Sequence, residues 1–432
     1  VTDPMELGAH EPFEHEGEFP PLDAMLSSVG ERLVSRGEIG LLTVTVLQRR
    51  HVEQGAGWHA YDATIREITT FLREHHRHRM RRDDRLLEPS MRGNTFTLLL
   101  DPPRHGRALD FADLTRVRMR LRRGLKLHLA RVLPQDVGEM FGWYVGAAVM
   151  RYESGVRIER IIHRALEESF ADALREKERE GRRHALQLSR VLDLGLVRSV
   201  YQPIVDIVER RVVGFEALSR VETGRFETVE MMFKAAEAND ALWPLERLCR
   251  RRAIEGLPQI APGQLLFLNI EPDSISDPDL TGAEFLDLLA TKGLSPHGVV
   301  LEMTEHSVIR DFASFRARLD RFRHLGFRLA MDDVGSGYAG LQAIAEIGPD
   351  FIKADMHLVR GIHRSAIKRE LIDTIRRFSD STGITLVAEG VETLEELGAL
   401  ASVGVRCAQG FLFAKPGSPP PNPDWGAVPA SG

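Results

Sequence analysis

The sequence predicts an α/β protein in two parts, a closed eight-stranded barrel of alternating strands and helices behind a smaller α/β domain. Three observations carry this. Seven short apolar runs in the second half, 212–216, 265–269, 299–302, 327–333, 351–353, 385–389 and 405–409, each end on a carboxylate, an amide or a lysine. An eighth run at 201–205 precedes them and completes the count that a (β/α)8, TIM-like barrel needs. Between most of these runs the apolar residues fall at helical spacing.

The remaining segments follow in chain order. Residues 1–25 are rich in Glu with few apolar anchors and are expected to be disordered. From 26 to 185 comes the smaller domain: a strand at 39–47, a helix around 60–74, a hairpin-like pair whose second strand is 94–100, a basic helix, a strand around 140–150 and a long helix. This βαββαβα order suggests one sheet with helices on its faces. In the basic helix Leu114, Val117, Leu121 and Leu125 keep helical spacing and arginines fill the other faces. That pattern fits a solvated helix face; the alternative is an acidic partner, and the lack of interleaved aromatics argues against nucleic acid. Residues 186–198 form a connector helix, 199–416 the barrel, and 417–432 a Pro-, Gly- and Ser-rich tail expected to be disordered.

Composition narrows the class. At 432 residues the chain exceeds one ordinary core and fits two. With 43% hydrophobic and 28% charged residues it is globular. No apolar stretch reaches the roughly 20 residues of a membrane span, and the acidic N-terminus lacks a signal-peptide pattern, so a cytoplasmic protein is expected. Two distant cysteines, Cys249 and Cys407, indicate neither a disulfide framework nor a zinc site. A net charge of −6 attracts no polyanion globally, so an anionic substrate needs local arginines or metal ions.

The strand ends supply the chemistry. In a barrel they open onto one face, so Glu216, Asn269, Glu302, Asp332, Asp333, Lys353, Glu389 and Gln409 are expected to converge. Any one carboxylate at a strand end is ordinarily a solvated or capping group. The set differs, because so many acids at one mouth repel one another unless cations neutralise them. Oxygen donors without His or Cys favour Mg²⁺ or Mn²⁺ over zinc. The adjacent Asp332 and Asp333 suggest two ions, the usual device for attack of water on a phosphodiester. Lys353 would position that water or offset charge, or else form a structural ion pair. Of Glu389 and Glu392, one is expected to be a ligand or the base that takes a proton from water, and Glu389, at the strand end, is the better candidate. Arg220 offers a bidentate contact to phosphate, against an ordinary surface arginine. Glu305 is placed to brace the glycine-rich loop 333–338.

These pieces, in this order and spacing, resemble the EAL-domain phosphodiesterases of bacterial cyclic di-GMP signalling across the barrel half. The resemblance rests on Tyr201-Gln202-Pro203-Ile204-Val205, Glu216-Ala217-Leu218 with Arg220, Leu268-Asn269 with Pro272, and Glu302-Met303-Thr304-Glu305. It continues through Asp332-Asp333-Val334-Gly335-Ser336-Gly337-Tyr338, Lys353 with Asp355, Ala388-Glu389-Gly390-Val391-Glu392 and Gln409-Gly410-Phe411. It implies hydrolysis of cyclic di-GMP to linear pGpG with two Mg²⁺ or Mn²⁺ ions held by Glu216, Asn269, Glu302, Asp332 and Asp333. Lys353 and Glu389 would act on the water or second metal, with Glu305 holding the loop. Gln202, Leu218, Arg220, Asp355 and Gln409 would bind substrate, and a homodimer would form through the EAL domain. Two positions depart from the pattern: Val334 replaces a common Phe and Glu271 a common Ser.

The smaller domain resembles a degenerate GGDEF domain, the nucleotide-cyclase-type module often placed before EAL. Arg92-Gly93-Asn94-Thr95-Phe96 occupies the signature turn, and Val145-Gly146-Ala147 resembles a later strand. Neither the turn nor the first strand carries the carboxylates that two Mg²⁺ ions around GTP require, so the resemblance implies a regulatory module, with GTP or another nucleotide as its possible ligand. Arg81 and Asp84 resemble the inhibitory RxxD site, at longer spacing from the turn than usual. The rival to an enzyme is a receptor that binds cyclic di-GMP without turnover and signals through a protein partner.

Overall fold

The computed structural model describes residues 22–48, 56–81, 83–87, 95–102, 109–133, 141–222, 226–304, 312–335 and 340–426. The chain divides into two compact units, Val1–Arg182 and Arg183–Gly432, and the helix Ile158–Leu194 runs across that division.

The first unit is one antiparallel sheet. Its strands are β1 (Glu38–Gln48), β2 (Arg85–Leu87), β3 (Thr95–Leu100) and β4 (Phe141–Arg151), in the order β2-β3-β1-β4. Alternation along β1 sends Leu42, Val44 and Val46 to one face, with Leu72, Leu114, Leu121 and Leu125 of the helices Ala56–Arg79 and Phe111–Val132. Ile39 and Leu41 point to the other face, towards Val29, Leu33 and Ile161. The basic helix Phe111–Val132 is partly ion-paired: Arg118 meets Asp172 at 3.0 Å, and Arg122 meets Glu176 at 2.6 Å and Glu180 at 3.0 Å. Of the stretch 1–25 expected to be disordered, 1–21 lie outside the described residues, whereas Leu22 opens a helix, Leu22–Arg36, whose Val29 and Leu33 are fully buried.

The second unit is the barrel. Its strands are β5 (Val197–Asp206), β6 (Arg211–Val221), β7 (Leu265–Asn269), β8 (Val299–Thr304), β9 (Arg328–Val334), β10 (Phe351–Ala354), β11 (Thr385–Ala388) and β12 (Cys407–Ala408), and they close in the order β10-β11-β12-β5-β6-β7-β8-β9. Ile204, Leu265, Phe267, Val300, Ala330, Phe351, Val387 and Cys407 fill the interior. Their sequence neighbours Leu266, Leu268, Leu301, Leu329, Ile352 and Leu386 pack in a second, outer apolar cluster. Burial on both faces is why these strands are continuous apolar runs. Each such side chain, Phe267 for example, contributes roughly 1.5–3 kcal/mol.

The strand count matches the sequence reading, but the repeat is not eightfold. β5 runs antiparallel to both neighbours, β6 and β12. A tight turn joins it to β6, in which Asp206 Oδ1 accepts the N–H groups of Val208 and Glu209, both at 2.9 Å. Four residues leave no room for a crossover helix, so the pair is a hairpin.

The described part of the tail is packed, which corrects the expectation for 417–432. Gly417 exchanges two backbone hydrogen bonds with Tyr201, at 2.8 and 3.0 Å. The Trp425 ring lies 5.4 Å from the Arg210 guanidinium and 6.2 Å from Phe413. Pro, Gly and Ser composition signals the absence of helix or strand, and here backbone hydrogen bonds and one aromatic anchor together dock irregular chain. Residues 427–432 lie outside the described residues.

Candidate active site

Eight polar side chains, those of Glu216, Asn269, Glu302, Asp332, Asp333, Lys353, Glu389 and Gln409, lie at the carboxyl ends of the parallel strands, and β5 adds Gln202. Because β5 runs the other way, Gln202 reaches the same rim from mid-strand, opposite Glu216 in the β5–β6 register. At the centre is Lys353 of β10, 1% exposed. Its Nζ lies 2.6 Å from Glu389, 3.3 Å from Glu216 and 3.5 Å from Asp332, and also contacts Glu302. Burial opposes the charged ammonium, yet the carboxylates of Asp332, Glu216, Glu302 and Glu389 outweigh it and hold the lysine well above its ordinary value.

One lysine does not balance the acids. Burial, reinforced by Asp332, Glu216 and Glu389 against the pull of Lys353, raises Glu302 well above the usual carboxylate range. Glu389 is pushed up to about 8, chiefly by burial. Asp333 rises to about 7 through burial and the neighbouring Asp332 and Asp355. Glu302 Oε2 is buried without a hydrogen-bond partner among the described residues. Carboxylate oxygens of Glu216, Glu302 and Glu389 lie within 4.8 Å of one another, and so do those of Asp332, Asp333 and Glu389. Excess negative charge, an orphaned buried acceptor and an all-oxygen donor set fit divalent cations.

Amides orient the acids. Asn269 Nδ2 donates to Glu216 Oε1 at 3.1 Å, and Gln409 Nε2 donates to Glu216 Oε2 at 2.6 Å and to Gln202 Oε1 at 3.2 Å. Gln409 is thus engaged with Glu216. Asp355, one residue past β10, accepts the N–H of His357 at 2.6 Å and hydrogen-bonds Asp333. Asp333 itself has φ 56°, a left-handed conformation that Asp tolerates, and turns the chain off β9. Gly335 follows with φ 105°, where a Cβ would stand 2.4 Å from Leu358 Cδ1. Leu218 and Arg220 lie on β6 beyond Glu216, both half-buried. Glu305 and Ser336 to Tyr338 lie outside the described residues.

Sequence reasoning missed a second cluster beside β7. Arg250 bonds Glu246 at 2.9 Å and Asp277 at 2.8 Å, and Arg247 also grips Asp277. Glu246 Oε1 accepts the N–H of Glu271, two residues past Asn269, at 2.7 Å. The i,i+4 spacing of Glu246 and Arg250 was the available signal. In the first unit, Asp84 accepts backbone N–H groups of Arg81 at 2.9 Å and Asp101 at 3.0 Å, while Arg81 donates to the carbonyls of Asp101 and Pro102, each at 3.2 Å. The Arg81 and Asp84 pair is therefore engaged in shaping its own turn.

The EAL domain family model matches residues 185–416. The cyclic di-GMP phosphodiesterase RocR of Pseudomonas aeruginosa is 34% identical over 236 residues, 52% of this chain and 59% of that protein. The blue light- and temperature-regulated antirepressor BluF of Escherichia coli is 30% identical over 228 residues, 50% of this chain and 53% of that protein. The EAL domain of FimX from Xanthomonas citri, solved with cyclic di-GMP, shares the fold with a TM-score of 0.50 and 24% identity, covering 56% of this chain and 96% of that one. The chain spans little more than half the length of these two curated relatives.

Proposed function

Since the chain belongs to the EAL domain family, we propose that it hydrolyses cyclic di-GMP to linear pGpG. The observation that carries this reading is the acid-rich mouth itself: four carboxylates around one buried lysine, with Glu302 Oε2 left without a partner among the described residues. Glu216, Asn269, Glu302, Asp332 and Asp333 would hold two Mg²⁺ or Mn²⁺ ions. Such ions, when bound, supply Lewis acidity and charge neutralisation at a phosphodiester.

The chain's own residues do the rest. Lys353 holds four carboxylates at one point and keeps a positive charge where negative charge develops on the phosphate. Glu389, 2.6 Å from Lys353, would take the proton of the attacking water. Gln409 and Asn269 fix the two oxygens of Glu216. Gln202, Leu218 and Arg220 extend from that point along the β5–β6 hairpin and would contact the dinucleotide, while Asp355 orients Asp333; the bracing of the loop by Glu305, outside the described residues, is what the family resemblance implies.

The first unit is assigned a regulatory, GGDEF-like role with GTP or another nucleotide as ligand. Its four-stranded sheet with helices on both faces supports that role. The homodimer is supported by Ile367, Leu371 and Phe378, apolar and exposed on the helix Ala366–Thr382. The deciding assay is pGpG formation by purified protein with Mg²⁺ or Mn²⁺, with and without GTP, beside Glu216→Ala. Cation-dependent product lost in the variant supports the enzyme, and a GTP effect supports the regulatory unit. Tight binding without turnover overturns the enzyme in favour of a receptor.

A further inference from the structure

We propose that Arg198 is a second arginine of the recognition site and that, together with Arg220, it grips the phosphodiester that is not cut. The proposal rests on the reading of the barrel as a cyclic di-GMP site. The β5–β6 ladder continues past the barrel rim: β6 pairs with β7 only over Gly214 to Ala217, but with β5 through Leu218↔Val200, Ser219↔Ser199 and Arg220↔Arg198. Residues directly opposite in an antiparallel pair share a face, and every second residue stays on it. Ile204, on the face of Arg198, lies among the barrel interior residues, whereas Val197 and Val221 on the other face pack with Met232, Leu245 and Cys249. Arg198 therefore projects from the same face as Gln202, Glu216, Leu218 and Arg220.

Arg198 is exposed and has no hydrogen bond or ion pair among the described residues. Arg220 donates to the carbonyl of Ser219 at 2.8 Å and has no carboxylate partner among them. Two like charges facing each other in one ladder pair repel, and an anion between them reverses the sign of that interaction. A cyclic dinucleotide carries two phosphodiesters. The acid cluster with its cations suits one, and the other needs cationic groups away from those acids. The Arg198 and Arg220 pair stands four residues along the hairpin from Gln202 and Glu216, roughly 13 Å at about 3.3 Å per residue, a separation that the breadth of the ligand and the long arginine side chains together span.

The test uses the full chain with Arg198→Ala, Arg198→Lys and Arg198→Glu. Steady-state kinetics with cyclic di-GMP and Mn²⁺ give KM and kcat separately. Calorimetric titration with cyclic di-GMP in Ca²⁺ gives Kd, and melting curves check the fold. The expected result is a KM and Kd raised about tenfold by Ala, more by Glu and less by Lys, with kcat within about twofold and an unchanged melting temperature. An Ala variant with wild-type KM and Kd overturns the proposal and leaves the phosphodiesterase reading standing. A loss confined to kcat overturns it too, because it would place Arg198 at the cut bond. A wild-type protein that binds without turnover removes the enzyme reading, while the Kd series still decides the role of Arg198. A wild-type protein that neither binds nor cleaves cyclic di-GMP overturns both.

Discussion

The barrel buries two groups of charges, and they are balanced in opposite ways. Beside β7, two arginines face two carboxylates: Arg250 and Arg247 against Glu246 and Asp277, with Arg250, Glu246 and Asp277 all at most 3% exposed. At the mouth, among the described residues, four carboxylates face the single cation Lys353, and Asp333 crowds them further. The balanced group closes on itself and fixes the backbone of Glu271. The unbalanced group, on the function proposed above, is the one that a ligand completes. Buried charge alone thus does not mark a site; uncompensated buried charge does.

The largest expected effect breaks the unbalanced group. Glu302→Gln is expected to lower kcat for cyclic di-GMP by about 10³-fold or more, since the cation site loses a ligand, while the melting temperature in chelator holds or rises because one repelling carboxylate is gone. A lower melting temperature in chelator would mean that the mouth is a structural ion cluster like its neighbour. Next comes Arg250→Leu, which leaves Glu246 and Asp277 buried without their shared cation. Denaturant titration should show about 3–5 kcal/mol of lost stability. A loss below about 1 kcal/mol would show that the two groups are not as different as their geometry implies.

A smaller effect sharpens the contrast through pH. Burial pushes Glu246 up to about 7 from an ordinary 4.5, against the pull of Arg250 and the Glu271 N–H. With its pKa raised on folding, this carboxyl favours the folded state most below 4.5, and that contribution is lost as the pH rises through 7. Glu246→Gln should therefore flatten the stability profile between these limits by about 3 kcal/mol; a parallel profile would remove Glu246 as its source. Smallest of all, Trp425→Ala should cost about 1–2 kcal/mol and leave kcat unchanged, because the ring packs on Arg210 and Phe413 and on no member of either charge cluster among the described residues. A fall in kcat would tie the tail to the mouth.

Much of the barrel was legible because each parallel strand is an apolar run that stops at a polar residue, so period and punctuation agree. Glu216, Asn269, Glu302, Asp332, Lys353 and Glu389 could be gathered from that rule alone. The reversed direction of β5 was not legible, since a strand's hydrophobicity has no arrow; only the four-residue link after Asp206, too short for a crossover, betrays it. The placement of Gln409 against Glu216 was hidden for a similar reason, because an amide at a strand end serves a ligand or a neighbouring acid equally well. Arg250 looked like one more arginine in the run Arg250, Arg251, Arg252, and only the packed helix Leu242–Glu255 shows which of the three turns inward. The tail was misjudged because composition reports on helix and strand but is silent on docking.

The closing of the ring through β12 and β5 also sets an order of events. Glu216 and Gln409, hydrogen-bonded in the finished protein, are 193 residues apart in sequence. A chain growing from its N-terminus exposes the hairpin and its glutamate long before the amide that will hold it, and contacts of such span form late and slowly. Gln409 is therefore the last of these side chains to be made, and the last strand to arrive is the one that closes the ring beside Glu216. A ribosome stalled before Cys407 would release a polypeptide holding all the carboxylates of the mouth and none of its closure.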